Sequence, residues 1–124
     1  MIDADVQPLE REEVGERLSQ VAALLDQRQN VAAMLLAWSA AEAALRLIAK
    51  ENHVRLREPS PAYIVKELFA IGLLDRDQYD MLQEGVRDRN TLVHGYKNGD
   101  VDREGIRRLV ESTQALLETK VAAD

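Results

Sequence analysis

Cysteine is absent from this chain of 124 residues, which excludes disulfides, thiolate metal centres and a cysteine nucleophile together. Histidine is nearly absent: His53 and His94 are the only two, too few for a His-rich metal centre within one chain. Aromatic residues make up 4%, so a core must be assembled from Leu, Ala, Val and Ile. That set favours helices, because Ala and Leu have high helix propensity and Ala lets helices approach closely. Strand-like alternation and internal repeats are also missing. There is no glycine-rich phosphate cradle, since Gly95 and Gly99 read as a helix end and a turn. The expectation is no bound nucleotide, no cofactor and no metal ion.

Positive charge is scarce as well, with 16 basic residues against 22 acidic ones and a formal net charge of −6. That balance argues against broad nonspecific binding to nucleic acid, which relies on neutralising phosphate. The charge is unevenly placed. From Arg76 to Arg108, seven basic residues (Arg76, Arg87, Arg89, Lys97, Arg103, Arg107, Arg108) balance seven acidic ones (Asp77, Asp80, Glu84, Asp88, Asp100, Asp102, Glu104), so the whole excess lies elsewhere. The opening MIDADVQPLEREE is acidic and has no signal-like apolar run. The longest nearly uncharged stretch, Asn30 to Ala41, reads as too short and too rich in Ala to span a bilayer. A cytoplasmic location with no membrane partner is the expectation.

An apolar content of 46% over this length supports one domain with a single modest core. Residues 1–124 read as that domain, with 1–8 as a flexible lead. Five helices are predicted. The first runs from about Leu9 to Arg28, with Val14, Leu18, Val21, Leu24 and Leu25 at helical spacing. Its end is weakly marked, and Asn30 is a candidate cap for the next helix. The second, about Val31 to Asn52, is apolar on two sides and therefore central; Glu42 lies within its second stripe with Arg46 one turn on, and Trp38 reads as a core or interface anchor. Ser60-Pro61 starts the third helix and Gly72 ends it. Asp75 caps the fourth, whose stripe is Tyr79, Leu82, Val86 and Val93, and Asp102 caps the fifth. Short links imply an all-α, up-and-down antiparallel bundle.

The stretch that carries chemistry is Val86-Arg87-Asp88-Arg89-Asn90-Thr91-Leu92-Val93-His94-Gly95-Tyr96. At 100° per residue, Val86 and Val93 mark the core face, with Arg89 on one flank and His94 on the other, roughly 140° apart. Asn90 and His94 are one turn apart, and Arg87 stacks near His94 two turns below. Two ordinary readings stand beside a functional one. A histidine near a helix C-terminus complements the macrodipole, and Arg89 could pair with Glu42 or Glu84. His53, with Arg55 and Arg57, reads as solvated, though the trio could touch phosphate.

Arg89, four residues, His94, one residue and Tyr96, with Asn90 directly after the Arg, resemble the motif of HEPN domains, and the terminal Tyr is shared with HepT-like toxins. The likeness covers roughly Val31 to Leu117 and includes the Ala-rich helix WSAAEAALR, the Pro-started third helix and a closing helix after HGY. The resemblance implies a helical bundle that dimerises with its motif helices facing, and a metal-independent ribonuclease. Arg89 would clamp phosphate and His94 act as general base or acid. Asn90, Tyr96, Glu42 and Arg87 would support them. It also implies a toxin of a toxin–antitoxin or defence pair, with Tyr96 a target for adenylylation by a nucleotidyltransferase antitoxin. The competing expectation is a non-catalytic HEPN module that dimerises and binds a nucleotidyltransferase or another partner.

Overall fold

A computed structural model describes residues 10–95 and 102–118. The expectations for residues 1–8, Tyr96 and Gly99 lie outside that range. Five helices, α1 (Arg11–Asp26), α2 (Asn30–Glu51), α3 (Pro61–Ala70), α4 (Arg76–Val93) and α5 (Arg103–Leu116), form an all-α bundle, and the described residues contain no strand. Local chemistry sets most of the starts. Ser60 Oγ accepts from Tyr63 N ahead of Pro61, and Asp102 accepts from Glu104 N. Asp75 and Gln78 exchange side-chain-to-backbone hydrogen bonds of 2.8 and 2.9 Å in a capping box.

Three helix ends share one geometry. After α1, α2 and α3, residues Arg28, His53 and Gly72 take φ of 59°, 58° and 85°. In each case the next residue's N–H reaches back, to the carbonyls of Leu24, Ala49 and Leu68. This is the Schellman arrangement, which a glycine accepts without strain and an L side chain does not. The junction after α1, which no glycine or proline marks, is therefore made by an arginine.

The core is continuous, with α2 at its centre. Eleven α2 residues are buried, including Ala33, Ala37, Ala40, Ala41 and Ala44, and this run of alanines gives α1 and α5 close access. The helix has the predicted length of 22 residues, and an 18-residue window within it reaches a mean hydropathy of 1.6, enough by length and composition to cross a membrane, yet 56% of that window is buried inside the bundle. Trp38 is 2% exposed and donates Nε1 to Glu42 at 3.1 Å. Opposite it stands Gly85 of α4. A Cβ on Gly85 would lie 3.2 Å from the Trp38 ring and 3.6 Å from Leu109 of α5, so α2, α4 and α5 meet at one level.

Arg103, the first residue of α5, donates Nη1 to the Leu25 carbonyl at 2.8 Å and to Asn30 Oδ1 at 3.0 Å. The end of α1 and the starts of α2 and α5 therefore share one end of the bundle. Asn30 does not cap α2, contrary to expectation: it is the first helical residue, Gln29 precedes it without a side-chain cap bond, and the Asn30 oxygen is taken by Arg103. Because Asp102 is close enough to perturb Asp88, α4 must run towards that same end, antiparallel to α2 and α5. At the opposite end, Arg46 donates to the Pro59 carbonyl at 3.0 Å, holding the 52–60 link back along α2.

Candidate active site

Buried Leu82, Gly85 and Val86 form the core face of α4. Continuing that spacing by one turn gives Arg89, so the arginine stands on the buried stripe rather than on its flank, and it is half-buried. Arg89 Nη1 donates to Asn90 Oδ1 at 2.7 Å. Among the described residues it forms no ion pair, with Glu42, Glu84 or any other acid. Asn90 in turn accepts, through its carbonyl, the backbone N–H of His94 at 3.0 Å. His94 ends the helix, Gly95 follows with φ 76°, and the imidazole-bearing residue is exposed. Arg89, Asn90 and His94 thus occupy the last two turns of one helix, with a clamped guanidinium on the inner side and an open histidine at the tip.

Val93 departs from expectation. It continues the spacing of Val86 but is 52% exposed, while the preceding Leu92 packs against the core. Val31 and Leu35, one turn apart on the first turns of α2, are also exposed, at 49% and 37%. From the shared Trp38–Gly85 level, Val31 lies about 10 Å and Val93 about 12 Å along the axis in the same direction, at 1.5 Å per residue. An apolar rim therefore lies at the same end as the motif. Only part of it was signalled by the sequence: Val31 falls outside both apolar stripes of α2, whereas Leu35 shares the stripe of Trp38 and is exposed all the same.

Glu42 is placed elsewhere. It accepts from Trp38 and pairs with Arg46 at 3.1 Å, one turn beyond Trp38 in the direction away from the motif. Arg89 is one turn beyond Gly85 in the other direction, so the two are about 12 Å apart along the bundle. Arg87 is exposed, and its carbonyl accepts Thr91 Oγ1 at 2.9 Å. Its charge acts on Asp88, which sequence reasoning passed over. Burial raises the Asp88 pKa above the usual 3.8, nearby Glu84 and Asp102 raise it further, and Arg87 partly offsets them. Tyr96 lies outside the described residues. Among the described residues no three His, Asp or Glu side chains converge as a metal site would require.

No curated protein and no solved structure matches the chain. A family model described as "Ribonuclease HepT-like" matches residues 10–123. With nearly the whole chain covered, and with a helical bundle in which Arg89, Asn90 and His94 share the end of one helix, the protein belongs to the HepT-like ribonuclease family, a HEPN-type family.

Proposed function

We propose that this chain is a metal-independent endoribonuclease that works as a homodimer, as the toxin of a cytoplasmic toxin–antitoxin or defence pair. The observation that carries this reading is the unneutralised Arg89 beside an exposed His94 within an apolar rim. A guanidinium with no acid beside it among the described residues keeps its charge available to a phosphate, and an exposed histidine can reach a substrate.

Cleaving RNA without metal needs a base for the 2′-hydroxyl proton, an acid for the departing 5′-oxygen and a cation for the phosphorane charge. One chain carries one motif histidine. Two chains facing across a two-fold axis would supply a pair of His94 imidazoles, one to accept the 2′ proton and one to protonate the leaving oxygen. Arg89 would grip the phosphate through its planar guanidinium, held in orientation by Asn90. Tyr96 would bond phosphate or stack on a base, and it is the residue a nucleotidyltransferase antitoxin would adenylylate. Val31, Leu35 and Val93 would be covered when the two copies meet. Arg87 is a second cation on the exposed face of α4 that also carries His94, two turns below it and opposite Arg89. Glu42, remote from Arg89 along the bundle, would act only by fixing Trp38 and hence the seat of α4.

The decisive measurement is cleavage of total RNA or tRNA by purified protein in EDTA, beside His94→Ala and Arg89→Ala. Both variants should lose cleavage by at least about 100-fold with unchanged helicity. Full cleavage by His94→Ala would eliminate the assignment.

A further inference from the structure

A second polar feature lies at the motif's end of the bundle and takes no part in the cleavage chemistry. Between the end of α1 and the starts of α2 and α5 is a cleft of about 380 Å³, lined by Leu25, Asp26, Arg28, Asn30 and Arg103. That volume falls within the range of small-ligand clefts, ~300–1,000 Å³. Two arginines face one aspartate in it, a local positive excess in a chain of net charge −6. Arg103 is anchored through Nη1 alone, which leaves the rest of its guanidinium to donate. The Asn30 oxygen is fixed by the same bond, so its amide group is oriented with its own N–H donors unused among the described residues. Arg28 is exposed, unpaired among the described residues, and held at φ 59°, where glycine would be the easier residue.

The cleft is level with the motif. Counting from Gly85 and Leu109, which pack at one height, His94 lies about 13 Å and Arg103 about 9 Å towards the same end. They are therefore within one helical turn along the bundle, on elements joined by the 94–102 link. We propose that this cleft is a phosphate subsite for the RNA strand, in which Arg28 and Arg103 hold a backbone phosphodiester flanking the one cleaved at His94. The proposal rests on the ribonuclease reading and extends it. Guanidinium forks suit phosphate oxygens, while Asp26 on the rim disfavours a second anion and can accept a ribose hydroxyl. The site would supply attraction where the chain's overall charge supplies none.

The test uses the full chain with His94→Ala, so that RNA binds without being cut, and a short fluorescein-labelled single-stranded RNA read by anisotropy over a salt series. Arg28→Gly removes the guanidinium and fits the left-handed backbone, so the protein should fold at least as well. It should bind RNA about 3–10-fold more weakly at low salt, with a salt slope shallower by about 0.7, the loss of one phosphate contact on a single strand. Arg28→Lys should retain most of the affinity. With His94 intact, Arg28→Gly should raise KM by the same factor and leave kcat unchanged. Unchanged affinity and slope in a protein that still cleaves RNA would overturn the subsite alone. Loss of cleavage in His94→Ala without any RNA binding by that variant would overturn the subsite and leave the cleavage reading standing. Absence of both RNA binding and cleavage in the parent chain would overturn both. Inorganic phosphate displacing the RNA at matched ionic strength, equally from parent and Arg28→Gly, would also count against it.

Discussion

The two ends of the bundle are built on opposite terms. At the far end, away from the motif, a set of polar groups is tied together: Glu42 joins Trp38 to Arg46, Arg46 reaches Pro59, and Ser60, Asp75 and Gln78 cap their helices. Phe69 stacks on Tyr79 at 4.3 Å, with Arg76 over the same ring at 5.7 Å. At the motif end, α2 starts without a side-chain cap, and Arg89 lacks an acid among the described residues. Val31, Leu35 and Val93 face outward there. One end holds the fold and the other leaves its interaction capacity unspent, which is where a partner copy and a substrate would complete it.

If that division holds, changes at the motif end should damage activity without damaging stability, and changes in the core the reverse. The largest effect belongs to His94→Ala, a loss of at least about 100-fold in cleavage with an unchanged melting temperature. Next is Val93→Asp, which places a carboxylate in the proposed dimer contact. Self-association measured by sedimentation should weaken by about tenfold or more, while the monomer's helicity is retained; an unaltered dimer would show that the chains meet elsewhere. Gly85→Val tests the boundary between the regions. The new side chain would press on a Trp38 ring pinned by Glu42 and Leu109, and should cost about 1–3 kcal/mol, seen as a lower denaturant midpoint. A smaller gain, about 0.5 kcal/mol, is expected from His53→Gly, because glycine relieves an L residue's left-handed strain at some cost in chain entropy. His53→Ala should show no such gain.

The same contrast explains what the sequence disclosed. Elements fixed by neighbours in the chain were legible: the Ser60-Pro61 start, the Gly72 stop, the Asp75 and Asp102 caps, the Glu42–Arg46 pair, and the Arg89-to-His94 spacing itself. Features made by distant parts of the chain were not. Asn30 looks like a cap until Arg103, arriving from α5, takes its oxygen. Gly85 looks neutral until Trp38 stands against it. Val93 has the right period for burial, yet it is Leu92 beside it that packs against the core and Val93 that stays in solvent. Arg28 and His53 adopt left-handed geometry with no residue type to announce it, since the reach-back hydrogen bonds and packing around each helix end impose it. Asp88 was passed over because its perturbation comes from burial and from Asp102 on another helix as well as from Glu84.

Asp88 gives the smallest and most directional test, since it lies where the two regions join. Burial, Glu84 and Asp102 all disfavour its charge, and Arg87 only partly compensates, so its folded pKa stands above the usual 3.8. For a carboxyl shifted upwards, the folded state holds its proton more tightly than the unfolded chain does. The resulting stabilisation is complete below about pH 3.8 and is lost as pH rises through the folded value, so at neutral pH the ionised Asp88 opposes folding. Asp88→Asn removes that charge and keeps the shape. The group is largely solvent-screened, and the melting temperature at pH 7 should rise by no more than about 2 °C. That advantage should shrink as pH falls and vanish below the ordinary carboxylate range, where parent and variant are both neutral at this position. A variant that melts lower than the parent at neutral pH would mean that the Asp88 carboxylate is a favourable partner to Arg87 or the motif, and that the junction of the two regions is electrostatically satisfied after all.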